Sequence, residues 1–215
     1  MPDPRFNIIS HKHKYIFTFV PKSGCVSLRR VIADIEGLPW EFNIAPRTKF
    51  DQVPHAEFHK YPDYYKFTFV RNPWDRLVSC YADKVVKARK EKNPAITSNG
   101  GVYNGFAMYK DVDFRTMTFE QFVEFVAKTP DSNSNGHFIS QHTFLKMDDL
   151  DFVGYFESIQ TDFNVVTDAV GLKRQAVPHL NRTDREDYQD LYDDRTKALV
   201  AKRFATDINL FGYKF

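Results

Sequence analysis

Two segments of this chain, Tyr15–Val20 (YIFTFV) and Tyr65–Val70 (YKFTFV), are nearly the same β-branched and aromatic run. Each is followed at once by a turn and then by a helical pattern. A run of that composition bounded by a turn reads as a buried strand. A strand feeding a helix, repeated, restricts the topology severely, because neighbouring parallel strands need a crossover and a helix is the usual one. The expected architecture is therefore α/β: a single domain over residues 1–215 built on a parallel β-sheet flanked by helices.

The helices can be bounded from local chemistry. After PKSG, a helix opens near Ser27 and runs to about Glu36, with Leu28, Val31, Ile32 and Ile35 on one face and Gly37 just past its end. The first strand-loop-helix unit thus covers about 15–36 and the second about 65–92. In the second, Asn72 is a good N-cap, Pro73 suits the first helical position, and Leu77, Val78, Tyr81, Val85 and Val86 keep an apolar stripe. Residues 38 to 63 carry several prolines and no clear period, which predicts an irregular connection with about one helical turn. Further along, Thr118 and Gln121 form a capping-box pattern. Phe152–Phe156 reads as a third strand, the stretch Thr161–Val170 as a helix stopped by Gly171, and Arg195–Phe204 as a last helix.

Composition removes several classes of function. The 215 residues include 30 basic and 28 acidic side chains, a net charge of +2 that gives no reason to expect nucleic acid as a partner. No apolar run approaches the roughly 20 residues that span a bilayer, and the first segment lacks the apolar core of a signal peptide. Two cysteines, Cys25 and Cys80, make neither a disulfide framework nor a zinc site. The expectation is a cytoplasmic protein without membrane insertion. These features imply no particular oligomeric state.

The chemistry lies in the two turns. In an open parallel sheet, ligands bind beyond the carboxyl ends of the strands, where helix N-termini present backbone N–H groups and partial positive charge. After the first strand come Lys22, Ser23, Gly24, Cys25, Val26 and Ser27: a cation, hydroxyls, and a glycine at which the backbone can approach an anion. After the second strand comes Arg71, suited to bidentate phosphate contact, and a helix bearing Ser79. Ser79 lies seven residues past Asn72, close to two turns of about 3.6 residues, so it projects on nearly the azimuth of the N-cap and can share an anion with Arg71. A P-loop phosphotransferase is the rival reading. In a Walker A loop, however, Lys directly precedes the Mg²⁺-binding Ser or Thr behind a glycine-rich stretch. Here Lys22 precedes the loop's only glycine, and Arg71 follows the second strand where an acidic metal ligand would be sought. Two cationic cradles and no expected metal suit a donor with two separated anionic groups. A catalytically silent nucleotide-binding module is the other alternative.

PKSGCVSLRR and FTFVRNPWDRLVSCY resemble the 5′-phosphosulfate and 3′-phosphate binding motifs of the carbohydrate sulfotransferase-like family. The resemblance continues through GHFISQHTFL, DFVGYFESIQTDF, PHLNRT and DINLFGYKF. It implies a P-loop-like fold dependent on 3′-phosphoadenosine-5′-phosphosulfate (PAPS), with 3′-phosphoadenosine-5′-phosphate (PAP) as product. It also implies roles. Lys22, Ser23, Gly24, Cys25 and Ser27 would wrap the 5′-phosphosulfate, Lys22 stabilising charge on the bridging oxygen. Arg71 and Ser79 would hold the 3′-phosphate, with Arg182 and Thr183 of PHLNRT as secondary contacts. Val26 stands where relatives usually have a Thr hydroxyl, so one hydrogen bond to phosphate is absent there.

Transfer to an alcohol needs a base for the acceptor hydroxyl. The resemblance points to a His in the connection before the second strand, which His55 matches first, with His59 in reserve. His137 and His142 sit in the HFISQH segment and stay as further candidates. The expected acceptor is a glycan or a small alcohol.

Overall fold

The computed structural model describes residues 6–40, 50–90, 106, 108–109, 112–178, 180 and 187–215. In chain order its regular elements begin with β1 (Asn7–Ser10), β2 (Tyr15–Phe19), α1 (Cys25–Glu36), β3 (Tyr65–Val70) and α2 (Pro73–Tyr81). They continue with α3 (Phe119–Lys128), β4 (Phe152–Tyr155), α4 (Ile159–Ala169), α5 (Asp194–Arg203) and α6 (Ala205–Phe211). Contacts divide the described residues into two compact units, one of residues up to 71 with 141–182, the other of 72–140 with 183–215.

The first unit holds the whole sheet, in the order β1-β2-β3-β4. β2 pairs parallel with β3 and β3 parallel with β4, as the repeated strand-helix pattern predicts. β1 is antiparallel to β2 and was not anticipated. Its four residues, NIIS, are too few to show alternation, and the turn that joins it to β2 has no glycine or asparagine. Lys14 takes the left-handed conformation in that turn instead, at φ 52°.

The similarity of the two strand sequences is spatially literal. Phe17 sits beside Phe67, Thr18 beside Thr68 and Phe19 beside Phe69. Alternation sends the phenylalanines to one face and the threonines to the other. On the first face, α1 and α4 bring Leu28, Val31, Ile32, Phe163 and Val166 onto Phe17, Phe19, Phe67 and Phe69. On the second, a 3-10 turn at His55–Lys60 covers Ile9 and Ile16 with Val53 and Phe58. Among the described residues of the 38–63 connection, where about one helical turn is expected, this short 3-10 helix is the helical element. Gly37 ends α1 in the left-handed conformation, φ 68°, with its N–H on the carbonyls of Ala33 and Asp34.

Among the described residues, the second unit has helices and no strand. Asn72 caps α2 by accepting from Trp74 N, and Pro73 follows at the first helical position. The helix then passes through a π turn, Ala82–Val86, into Lys87–Lys90. Thr118 and Gln121 form the reciprocal capping box at the start of α3. The core here is aromatic, gathering Trp74, Tyr81, Phe106, Phe114, Phe122, Phe138 and Phe204. Arg203 stitches the 129–140 segment to α5 by donating to Thr129 O, Ser140 Oγ, Ser134 Oγ and the Asp131 carboxylate. Burial alone would raise the Asp131 pKa, but the hydrogen bonds from Arg203 and Ser140, with the guanidinium charge, hold it below its ordinary value. No described helix is long and apolar enough to cross a membrane.

Gly154 in β4 shows how tightly the first face is packed. A Cβ there would lie 2.6 Å from the ring of Phe69, which is 1% exposed. Gly154→Ala is expected to destabilise the protein by about 1–3 kcal/mol through overpacking, read as a lower urea midpoint with an unchanged slope.

Candidate active site

Parallel pairing places the carboxyl ends of β2 and β3 at one end of the sheet, and both predicted anion loops leave from there. The first loop is shaped by two left-handed residues. Gly24 is at φ 74°, and a Cβ on it would meet Ile159 Cδ1 at 2.6 Å and Phe156 at 3.1 Å. Lys22 is at φ 71°, unusual for a residue with a side chain; such conformations cost on the order of 1–3 kcal/mol and gather at ligand clamps.

The loop delivers the chain into α1 with Gly24 as N-cap, no capping side chain, and no acidic residue in the first turn. The first helical N–H groups have no acceptor inside the helix, and the helix end adds partial positive charge. Cys25 is the first helical residue and half-buried. With Val26 and Ser27 it presents main-chain N–H groups, the feature an anion needs. Ser27 is buried, and its Oγ accepts from Leu180 N at 3.1 Å. The start of the PHLNRT segment is thereby tied to the first turn of α1. Arg182 and Thr183, expected as secondary contacts, lie outside the described residues.

Arg71 closes β3 and turns its side chain back to the first loop. Its Nη1 donates to Lys22 O at 3.1 Å, and its guanidinium lies 3.9 Å over the Phe156 ring. Phe156 therefore backs both Arg71 and the space beside Gly24. Ser79 is half-buried on α2, in the other unit. Its assignment to the 3′-phosphate rests on the motif and on no distance.

Two buried amides were missed in the sequence. Gln141 has no exposed surface, and its Oε1 accepts from Ser23 Oγ at 3.0 Å and from Arg71 N at 2.9 Å. Its Nε2 donates to Arg71 O at 2.8 Å. Ser23 is itself only 1% exposed, so its hydroxyl is turned inward. The motif GHFISQHTFL contains Gln141, but a buried amide has no local sequence signature, whereas the two histidines of the motif suggest chemistry directly.

The other missed amide is Asn7. Thr18 Oγ1 donates to Asn7 Oδ1 at 2.8 Å, and Asn7 Nδ2 donates to Val53 O at 3.0 Å. Nδ2 also lies 3.2 Å from His55 Nδ1. The Val53 carbonyl can only accept, so it fixes which end of the amide faces His55. Nδ1 of His55 is then the acceptor, and in the neutral ring the proton sits on Nε2. Nε2 is buried and makes no hydrogen bond among the described residues.

The remaining candidate histidines are dispersed. His59 is exposed, His142 half-buried in the short turn Gln141–Phe144, and His137 half-buried in the other unit, its Nδ1 2.6 Å from Asn135 Oδ1. A cleft of about 530 Å³ opens at the amino ends of the strands, lined in part by Lys12, Lys14, Tyr64, Tyr65 and Asp151, and holds none of the predicted site residues.

Burial, reinforced by the nearby Lys146 cation and only partly offset by Asp149, lowers the His55 pKa from its ordinary value near 6.5. The neutral ring is thus the folded form. The stability it contributes is complete above the unfolded pKa and is lost as pH falls from there through the folded pKa. Below about pH 6.5 the wild type should lose stability faster than His55→Gln, as read from melting temperatures across that range. Parallel curves would remove His55 as a source of the dependence.

With this geometry in place, comparison with known proteins gives a consistent class. The Sulfotransferase family model matches residues 6–214, and the chain belongs to that family. Among curated relatives, carbohydrate sulfotransferase 14 of Danio rerio is 24% identical over 96% of this chain and 61% of its own length. Carbohydrate sulfotransferase 9 of Homo sapiens is 25% identical over 93% of this chain and 47% of its own. Carbohydrate sulfotransferase 10 of Rattus norvegicus is 26% identical, covering 96% and 66%. The chain therefore spans about half to two-thirds of the length of these relatives. No solved structure matches it.

Proposed function

We propose that this chain transfers a sulfuryl group from PAPS to a hydroxyl of a carbohydrate or small alcohol, with residues 1–215 acting as one sulfotransferase domain and no metal taking part. The observation that carries the reading is the Lys22–Ser27 loop at the carboxyl end of β2. It is strained at Lys22, opens an uncapped helix N-terminus, and is contacted by the arginine that ends β3. The family membership and the relatives' names support the chemistry and the acceptor class.

In this reading the loop amides from Gly24 to Ser27 receive the 5′-phosphosulfate, while Arg71 and Ser79 receive the 3′-phosphate. The acceptor oxygen forms a bond to sulfur as the bond from sulfur to the bridging oxygen breaks. The products are PAP, a sulfate ester and the acceptor's proton. Negative charge grows on the bridging oxygen, where the Lys22 ammonium acts more strongly on the transition state than on the ground state. His55 takes up the proton. Nε2 is buried, so to accept there the ring must be uncovered as substrate binds and carry its own proton on Nδ1, giving up the Asn7 hydrogen bond.

PAP is expected to raise the melting temperature clearly more than adenosine-5′-phosphate at equal concentration. A ligand at a hundred times its Kd adds about 2.7 kcal/mol to the folded state. Equal shifts would remove the 3′-phosphate site. Turnover of sulfur-labelled donor with a panel of sugars and alcohols then separates catalysis from binding alone.

Lys22→Asn, a residue that tolerates the left-handed backbone, should cut turnover by about 10²–10³-fold and leave PAP affinity within a few-fold. An equal loss in both would make Lys22 a binding residue only.

A further inference from the structure

We propose that Gln141 is a positioning residue for the donor site, its side-chain amide fixing the spacing between the Lys22 loop and Arg71. The inference rests on the donor reading above and assigns a role to a residue which that reading does not use.

The starting point is an inventory of hydrogen-bonding groups. At the end of β3 the last ladder pair is Val70 with Tyr155. Arg71 has left the sheet, yet it is buried, so its main-chain N–H and C=O need partners. Gln141 supplies both, accepting from Arg71 N and donating to Arg71 O. One amide side chain stands where a neighbouring strand would be. The second lone pair of Oε1 takes the Ser23 hydroxyl, and through it the end of β3 is fastened to the first loop.

A closed circuit results. Arg71 Nη1 reaches Lys22 O, the Lys22–Ser23 peptide carries the connection on, Ser23 Oγ reaches Gln141, and Gln141 returns to the main chain of Arg71. Each link limits the others, so the Lys22 and Arg71 backbones cannot drift apart separately. A nucleotide with phosphates at both its 5′ and 3′ positions benefits from that fixed spacing, because no binding energy is spent in arranging the two cradles. A nucleotide with a 5′-phosphate alone uses one cradle and gains little.

The chemistry also explains the residue type. A carboxylate would accept from Arg71 N and Ser23 but turn an oxygen toward Arg71 O with no proton to share. An aliphatic side chain would leave three buried polar groups without this partner. Ser23, expected from the sequence to touch the phosphosulfate, has its hydroxyl on Gln141 Oε1 and its main-chain N–H on Val20 O at 3.3 Å, and serves as a tether.

The test measures dissociation constants of PAP and adenosine-5′-phosphate by calorimetry for the wild type, Gln141→Glu, Ser23→Ala and the double variant. Gln141→Glu should weaken PAP by at least about tenfold while adenosine-5′-phosphate changes less than about threefold. Ser23→Ala should act in the same direction, and its effect should shrink in the Gln141→Glu background because both substitutions break one circuit. If both nucleotides weaken equally, or neither does, Gln141 is a structural residue only and the proposal is overturned. If Gln141→Glu does not fold, Ser23→Ala decides by the same ratio. A wild type that binds the two nucleotides equally would instead overturn the donor reading itself, a different result from variants that fail to alter an existing preference.

Discussion

The in-register parallel pairing of β2 with β3 is the constraint on which the first unit depends. The two strands carry the same residues at matching heights, so phenylalanine meets phenylalanine on one face and threonine meets threonine on the other. Phe17 and Phe67 stack with centroids 5.0 Å apart and planes 13° from parallel. A slip of one residue would exchange the two faces, sending rings toward the polar side and hydroxyls into the core. The register also sets where the strands end, and therefore where Lys22 and Arg71 leave the sheet.

The polar face is organised by the same register. Thr68 Oγ1 donates to Thr18 O, Thr18 Oγ1 to Asn7, and Asn7 to both Val53 and His55. This chain of bonds crosses from β3 through β2 and β1 to the His55 turn. It lets a sheet face with two threonines and an asparagine be buried without orphaned groups until the last member, the His55 ring. The first face holds α1 and α4 by area and shape, whereas the second holds the His55 turn by a small apolar cluster together with directed hydrogen bonds.

Much of this was legible in the sequence because the signals are local. Gly37 and Gly171 mark helix ends, Asn72–Pro73 and Thr118–Gln121 mark helix starts, and the strand pair announces itself by repetition. β1 was not legible, since four residues cannot establish a period. Gln141 and Asn7 were not legible for another reason. A buried amide is chosen by groups far along the chain, Ser23 at 118 positions from Gln141 and His55 at 48 from Asn7, and nothing in its neighbours reports them. The histidines of the GHFISQHTFL motif were conspicuous because imidazoles suggest chemistry. The glutamine between them makes the connection to the loop.

Lys22 carries a tension with consequences for engineering. Its backbone occupies a region that glycine or asparagine enters at lower cost, while the proposed chemistry requires a long cation there. Selection for thermal resistance alone would favour glycine or asparagine at this position, and with either the cation is lost. The most heat-tolerant variants so selected would then be the ones least able to turn over a donor.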